Sequence, residues 1–360
     1  MKLFFDARYI RTDFHDGISR FSTELAAEVA KIADVTFLIC DEAQTNYLPK
    51  DAVILKIHRP TSVLEPFTAL LLNKHHPDVV FSPLQTMGSL GKKYKLILTS
   101  HDMIYYHFRT PPQQFGPLLR LGWRFYHLTY IPQRLALNAA DAVVTVSETT
   151  KQEFEKTKLT NRLIIVVPNA PRTLSKTPTS LAHAPRSLIY MGSFMPYKNV
   201  ETLIEALRYL PAHTLHLLSR ISPERRAQLE ARKPRGVHIV FHNGVSDDEY
   251  AALLQDNAVL VSASRYEGYG LPVAEGLALG VPAVLSDIPI FHEVAGNGAL
   301  FADPDNAQAF AAQITSLDDP TARRALTKRG SQHIAQYSWH ESASRLVKAA
   351  ESLLTSVTIE

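Results

Sequence analysis

Ser264-Arg265-Tyr266-Glu267-Gly268-Tyr269-Gly270-Leu271-Pro272-Val273-Ala274-Glu275 joins an apolar run to a helical one through two glycines. It follows an apolar run, Ala258-Val259-Leu260-Val261, that reads as a buried strand ending at Ser262. It precedes an Ala/Leu-rich run, Val273 to Leu279, that reads as a helix closed by Gly280. Strand, glycine-containing loop and helix together make one α/β unit. Pro272 suits the first helical position, where its missing N–H costs nothing. Gly268 and Gly270 let the backbone turn sharply and approach a ligand closely. Backbone N–H groups at the helix start then form an anion site. Glu267 before the turn and Glu275 inside the helix flank it with carboxylates. Phosphate donors beside carboxylates suit a ligand that carries both phosphates and hydroxyls, such as a sugar nucleotide. The competing reading is an ordinary α/β loop with a solvent-facing glutamate.

The same plan extends in both directions. Towards the C-terminus, strands are expected at Ala283–Ser286 and Ala299–Phe301, with helices at Ala307–Leu317, Thr321–Ala335 and Ser338–Thr355. The last of these places Trp339, Ala343, Leu346, Val347 and Leu353 on one side. Towards the N-terminus, strands at Ser187–Met191, Thr214–Leu218 and Val237–Phe241 alternate with helices at Val200–Leu210, Pro223–Arg232 and Asp247–Asn257. A Pro/Ser/Thr/Ala-rich stretch from Pro168 to Pro185 is the linker candidate. Before it lies a second α/β series. Its strands are expected at Lys2–Phe5, Val35–Cys40, Val53–Leu55, Val79–Phe81, Leu96–Thr99, Asp141–Ser147 and Ile164–Val167, and a helix at Ile18–Ile32 follows a turn containing Gly17. Alternating strands and helices imply mainly parallel sheets covered on both faces, with ligands at the carboxyl ends of the strands. The expected architecture is α/β, two doubly wound Rossmann-like domains. Residues 1–168 form the first, joined by the final helix at 339–356, residues 169–186 the linker and 187–338 the second. The 360 residues are enough for two domains of ordinary size, and the two halves show no internal sequence repeat.

Composition narrows the function. A hydrophobic share of 46% with interspersed charge is that of a globular protein. The single cysteine, Cys40, excludes an intrachain disulfide and a multi-cysteine zinc site, and fits a reducing compartment. It closes an apolar run and reads as a buried thiol. No span approaches the roughly 20 apolar residues of a membrane-crossing helix. Asp6 stands where the apolar region of a signal peptide would continue, so a cytoplasmic location is expected. The net charge of +3 is too small to point to nucleic acid.

Two further loops carry chemistry. Gly192-Ser193 ends a strand and Tyr197-Lys198-Asn199 precedes a helix. The small turn admits an anion to backbone donors, and Lys198 adds a point charge for phosphate. An exposed surface lysine is the alternative. Asn243-Gly244-Val245-Ser246-Asp247 closes another strand. Its main chain at Val245 can edge a nucleobase, or the segment is a simple helix cap.

With these loops in place, the chain resembles the retaining glycosyltransferases of the GT-B class known as family 4, glycosyl transferases group 1. Gly17-Ile18-Ser19-Arg20-Phe21 resembles the family's first glycine loop, and Ser100-His101-Asp102 its His-Asp segment. The strand from Ala140-Asp141 to Val146-Ser147-Glu148 and the Val167-Pro168-Asn169 entry to the linker match in order. Met191-Gly192-Ser193 with Tyr197-Lys198-Asn199 resembles the donor-phosphate segment, and Glu267 and Glu275 the paired glutamates. Tyr337-Ser338-Trp339 resembles the tail that crosses back to the first domain. The resemblance implies two domains facing across a cleft, and roles for the site residues. Gly17 would let its loop approach the donor diphosphate, and Lys198 would neutralise that diphosphate as it leaves. Glu275 would accept from ribose hydroxyls and Glu267 from the transferred sugar. Backbone donors around Gly270 and Leu271 would touch phosphate, and His101 would lie beside the sugar. For His101 the alternative is a structural hydrogen bond to Asp102. Transfer with retention needs no paired glycosidase carboxylates and no metal is expected. No cofactor is implied, the nucleotide sugar being a substrate.

Two departures from the family pattern stand out. Phe194-Met195-Pro196 occupies the place of a second basic residue, for which Arg265, Arg220 and Arg20 are candidates. Ser219-Arg220-Ile221 replaces a glycine-rich turn, which leaves the donor base open. The mannosyltransferase-like start favours GDP-mannose as donor. UDP-glucose, UDP-galactose and UDP-N-acetylglucosamine are the alternatives within the class. A sugar-nucleotide epimerase of the same fold and an inactive sugar-nucleotide-binding subunit are alternatives outside it. A dinucleotide-dependent dehydrogenase is disfavoured, because no G-x-G-x-x-G follows the first strand.

The acceptor is expected to be a glycan or a lipid-linked sugar. Residues 103 to 140 contain no Asp or Glu but carry Arg109, Arg120, Arg124 and Arg134 among Trp123, Phe125, Tyr126 and Tyr130. Such a segment suits peripheral contact with an anionic membrane, on its inner face. Equally, it suits a helix packed in the domain with arginines snorkelling at its rim.

Overall fold

Central strands of a covered parallel sheet are apolar on both faces, and that pattern sets the frame. The computed structural model describes residues 1–13, 16–111, 116–174 and 183–355. In the first unit the strands are β1 (Leu3–Asp6), β2 (Val35–Ile39), β3 (Val53–Lys56), β4 (Val79–Ser82), β5 (Lys95–Thr99), β6 (Ala142–Thr145) and β7 (Leu163–Val166). They form one parallel sheet in the order β3-β2-β1-β4-β5-β6-β7. Every residue of β1, β4 and β6 is buried, whereas edge strand β3 leaves Val53 exposed.

The second unit holds β8 (Ser187–Tyr190), β9 (Thr214–Leu217), β10 (His238–Phe241), β11 (Ala258–Ser262), β12 (Ala283–Ser286) and β13 (Leu300–Ala302). Its sheet is also parallel, in the order β10-β9-β8-β11-β12-β13. Leu188, Tyr190, Leu215, Val259 and Val261 meet Leu203, Ile204, Leu207 and Phe310 from the flanking helices in one core. In each sheet the order reverses once, between β1 and β4 and between β8 and β11. Those reversals open the crevices where doubly wound sheets take ligands.

Contacts divide the chain into Met1–Asn169 with Tyr337–Glu360, and Ala170–Gln336. The helix Trp339–Thr355 belongs to the first unit, where it packs against the helix Gly17–Ile32. Its Trp339, Ser342, Ala343, Leu346, Val347 and Ala350 are buried. Trp339 meets Phe21 ring to ring at 6.1 Å, and the Ser342 hydroxyl donates to the Pro168 carbonyl at 2.6 Å. Part of the linker expected at 169–186, residues 175–182, lies outside the described residues, as does residue 356 of the expected final helix.

Local boundaries differ in two informative places. Gly17 is the first residue of its helix, not part of the turn before it, because the Asp16 side chain caps the helix by accepting from the Ser19 N–H. The helix after β11 runs Leu271–Ala278 with Gly270 as its cap, which makes Pro272 its second residue and not its first. Proline is equally at home there, since the second N–H also lacks an intrahelical acceptor.

Candidate functional site

In the second unit, the loops after β8 and β11 leave adjacent strands at the point where the sheet order reverses. Lys198 rides on the first loop and Glu267 on the second. The Lys198 ammonium donates to both Glu267 oxygens, at 2.6 Å to Oε1 and 2.7 Å to Oε2. Both side chains are largely withdrawn from water, 15% and 11% exposed. The Ser264 hydroxyl donates to Glu267 Oε1 at 2.8 Å and lies 3.2 Å from Ser262 Oγ. A backbone hydrogen bond from Arg265 N–H to the Tyr197 carbonyl, 2.8 Å, ties the two loops together. Behind Lys198, Asn199 adopts a left-handed conformation (φ 52°), and its amide donates to the Pro304 carbonyl at 2.6 Å. An ammonium and a carboxylate fixed this way can meet an anionic leaving group and sugar hydroxyls side by side.

Gly192 is required by a close approach. A Cβ there would lie 2.9 Å from the Tyr190 hydroxyl, which folds back beneath the loop to donate to the Ser193 carbonyl at 2.6 Å. The Gly192 N–H donates to Ser219 Oγ at 3.1 Å, so this donor is engaged within the chain. Ser193 itself is exposed. Gly270 has φ +96°, and a Cβ would stand 3.0 Å from the Phe291 ring. Having no side chain to cap the helix, it leaves the Leu271 N–H at the positive end of the helix dipole. Gly268 is buried beside it.

Glu275 is buried on the same helix, 3% exposed, and its Oε1 accepts from Arg172 Nε at 2.6 Å. The other end of the Arg172 guanidinium holds Asp247, with Nη2 3.0 Å from Oδ1 and Nη1 on Oδ2. Asp247 opens the helix Asp247–Gln255, two residues after Val245. The Val245 loop is shaped by left-handed Asn243 and Gly244, and is tied to the loop after β9 through Gly244 N–H to Leu218 O, 2.8 Å. Arg172 was not singled out in the sequence, and Ser264 and Ser219 were quoted there without the contacts they make around this candidate site. Of the three candidate second cations, Arg265 is bound to Asp305 and to the Pro196 carbonyl, and Arg220 packs its side chain over Gly244. Arg20 belongs to the first unit, on the helix Gly17–Ile32. Arg225, not foreseen, braces the loop after β8 by donating to the Phe194 carbonyl at 3.0 Å while paired with Glu201.

In the first unit His101 follows β5. Its Nε2 lies 2.8 Å from the Pro83 carbonyl, an acceptor only, so Nε2 carries the proton. Phe21 meets its ring edge-on at 5.0 Å. Burial pushes the imidazole pKa below its ordinary value, against the opposing pull of the Pro83 carbonyl. Asp102 Oδ1 accepts from the Ile104 N–H. Gly17 is exposed, and a Cβ there would meet no described atom within 4 Å. Beneath this surface, Arg8 is fully buried and reaches Asp6 (2.8 and 3.0 Å) and Glu65 (2.7 and 2.9 Å). No group of three or more His, Cys, Asp or Glu side chains is arranged to hold a metal among the described residues.

Comparison with known proteins agrees with this geometry. Residues 15–171 match the family model described as Glycosyltransferase Family 4, and residues 172–333 the model described as Glycosyl transferases group 1. O-antigen chain mannosyltransferase B of Escherichia coli is 32% identical over 173 residues, a match that takes in 46% of this chain and only 45% of that protein. O-antigen chain mannosyltransferase RfbU of Salmonella typhimurium is 24% identical over 349 residues, covering 89% of this chain and 92% of the relative. Among solved structures, sucrose-phosphate synthase from Thermosynechococcus elongatus superposes with a TM-score of 0.74 at 18% identity, over 99% of both chains. That likeness shows the fold, the two-domain GT-B architecture.

Proposed function

The chain belongs to the group 1, family 4 glycosyltransferases, and on that premise we propose that it is a retaining hexosyltransferase that moves mannose from GDP-mannose to a glycan or lipid-linked acceptor. The observation that carries the reading is the two-pronged Lys198–Glu267 pair at the strand reversal of the second sheet. Support for mannose comes from the two relatives above, both named mannosyltransferases. UDP-linked glucose, galactose or N-acetylglucosamine are the alternative donors.

In this reading the donor diphosphate draws the Lys198 ammonium and the Leu271 N–H, which stabilise the charge that grows on the leaving oxygen. Glu267, its Oε1 already steadied by Ser264, takes hydroxyls of the transferred sugar, and Glu275 takes those of the ribose. The main chain at Val245 edges the base. The acceptor hydroxyl attacks on the face from which the nucleotide departs and hands its proton to the leaving phosphate, so the anomeric configuration is kept. His101, neutral and with Nε2–H committed to Pro83, offers the sugar only its Nδ1 and carbonyl as acceptors. No metal is assigned a role, and turnover is expected to survive EDTA.

The test is a thermal-shift screen with GDP, UDP and their sugars, followed by product analysis against a lipid and glycan extract. GDP-mannose is expected to raise the melting temperature and to yield an α-linked product. Failure of every GDP ligand to shift it would count against mannose. An epimerised sugar formed from donor alone would favour an epimerase, and binding without turnover an inactive subunit.

One observation favours membrane contact on the acceptor side. None of the residues of the helix Pro117–Tyr126 is buried, and Leu118 is 84% exposed. Trp123 and Tyr126 are half-buried and Trp123 meets Tyr105 edge-on at 5.2 Å, so the helix rests on the domain by that side and leaves Leu118, Leu121 and Phe125 exposed. Leu118, Leu121 and Phe125 follow helical spacing beside Arg120 and Arg124, the make-up of a helix that lies in an anionic lipid surface. No described helix is long and apolar enough to cross a membrane.

A further inference from the structure

Glu275 presents a problem that its assignment to the ribose does not solve. Its side chain is 4% exposed, and burying a carboxylate is costly unless it is paired and hydrogen-bonded. Arg172 supplies that cation from outside the sheet. Its Nε edge reaches Glu275 at 2.6 Å while its two Nη groups face Asp247. A lysine could serve one of these partners; the planar fork of an arginine serves both at once in a fixed geometry. The two carboxylates differ in setting. Asp247 is 58% exposed and needs no partner for its own solvation. Asp247 also opens the helix that follows the Val245 loop.

We propose that Arg172 is the positioning residue of the ribose subsite: it holds the Glu275 carboxylate in one rotamer, ready to accept from sugar hydroxyls, and locks it in register with the base-edging loop through Asp247. The inference rests on the assignment of Glu275 to the ribose. Arg172 touches no substrate atom in this arrangement and acts through Glu275. A Glu275 free to rotate would accept fewer hydroxyl hydrogen bonds, so the protein without Arg172 should cease to distinguish ribose from deoxyribose.

That consequence supplies a readout that loss of stability alone does not move. Dissociation constants are measured by calorimetry for GDP and 2′-deoxy-GDP, and in parallel for UDP and 2′-deoxy-UDP, on the full chain and on Arg172→Ala, Arg172→Lys and Asp247→Asn. In the unaltered protein the 2′-deoxy nucleotide of the preferred base should bind about tenfold more weakly, the factor a hydrogen bond to a charged group commonly supplies. Arg172→Ala should abolish that ratio, and Arg172→Lys should restore part of it. Asp247→Asn, altered at the exposed end of the bridge where no buried charge is orphaned, should shrink it. Turnover with donor should follow the same pattern in KM with kcat little changed. A full deoxy penalty retained in Arg172→Ala and Asp247→Asn overturns the inference and leaves the donor site standing. No penalty in the unaltered protein overturns the ribose assignment and the inference with it.

Discussion

Lys198 and Glu267 neutralise each other until an anion arrives, and this shapes what their removal should do. If Lys198 meets the leaving diphosphate as proposed, Lys198→Ala should lower kcat by about 10²–10³-fold, the usual cost of one transition-state donor. It also leaves the Glu267 carboxylate, 11% exposed, with Ser264 for company. A stability loss of about 1–3 kcal/mol should follow, as for a buried polar group deprived of its partner. Glu267→Gln keeps the shape and should cost less in stability than in turnover. Intact kcat in Lys198→Ala, by steady-state assay, would remove the lysine from the chemistry. His101 gives a second residue-scale prediction, in pH. Its folded-state pKa is lowered, chiefly by burial, so the unfolded chain takes up the proton first. The folded protein therefore loses stability as pH falls below about 6.5, the unfolded value, and keeps it at higher pH. His101→Gln should flatten this acid limb in denaturant titrations followed from pH 5 to pH 8, a range set about the free histidine value. An unchanged limb would mean that His101 is protonated as readily in the folded chain.

The helix Pro117–Tyr126 shows at the scale of an element why pattern and packing part company. Its apolar residues repeat at helical spacing, yet none is buried; a pattern that normally announces a core face here faces outward. If that face meets lipid, replacing Leu118 and Phe125 with serine should reduce co-sedimentation with anionic vesicles at low salt by at least about tenfold, a factor that withdrawing two CH₂ groups from water at ~0.8 kcal/mol each already supplies. Donor turnover in solution should be unchanged. Equal sedimentation of the two proteins would sink the membrane reading. Other elements were far more legible. All thirteen strands were foreseen within a residue or two, because central parallel strands are apolar on both faces and stop at polar loops. The helix Pro289–Ala295 was not foreseen, since seven residues hold too few turns to show a period. Lys198 and Glu267 were legible because each sits on a short loop directly after a strand. Arg172 was not: its partner Glu275 stands 103 positions away, and no local pattern links a linker arginine to a helix glutamate. Arg8 was missed for the same reason, its partner Glu65 being 57 residues off.

Across the whole molecule, the two sheets share one strand plan but differ in what they bring to their reversal points. The second gathers Lys198, Glu267, Glu275, Arg172 and the Leu271 N–H at the helix start, around the carboxyl ends of β8 and β11. The first gathers the Asp6–Arg8–Glu65 cluster, whose guanidinium is wholly committed to protein acceptors. That arginine has nothing left to give a phosphate, whereas Lys198 keeps a third N–H beyond the two it spends on Glu267. Nucleoside diphosphate recognition should therefore reside in the second unit. Hydrogen exchange followed by mass spectrometry checks this directly. Saturating GDP, or UDP if the screen selects it, should slow exchange at 191–199, 243–247 and 264–275. At 100 times Kd the stabilisation available is about 2.7 kcal/mol, enough to slow opening of those loops by up to about a hundredfold. Strand residues of the first sheet, such as 79–82 and 95–99, should exchange as before. Protection confined to the first unit would displace the diphosphate from Lys198, and with it the assignment of Glu267 to the transferred sugar.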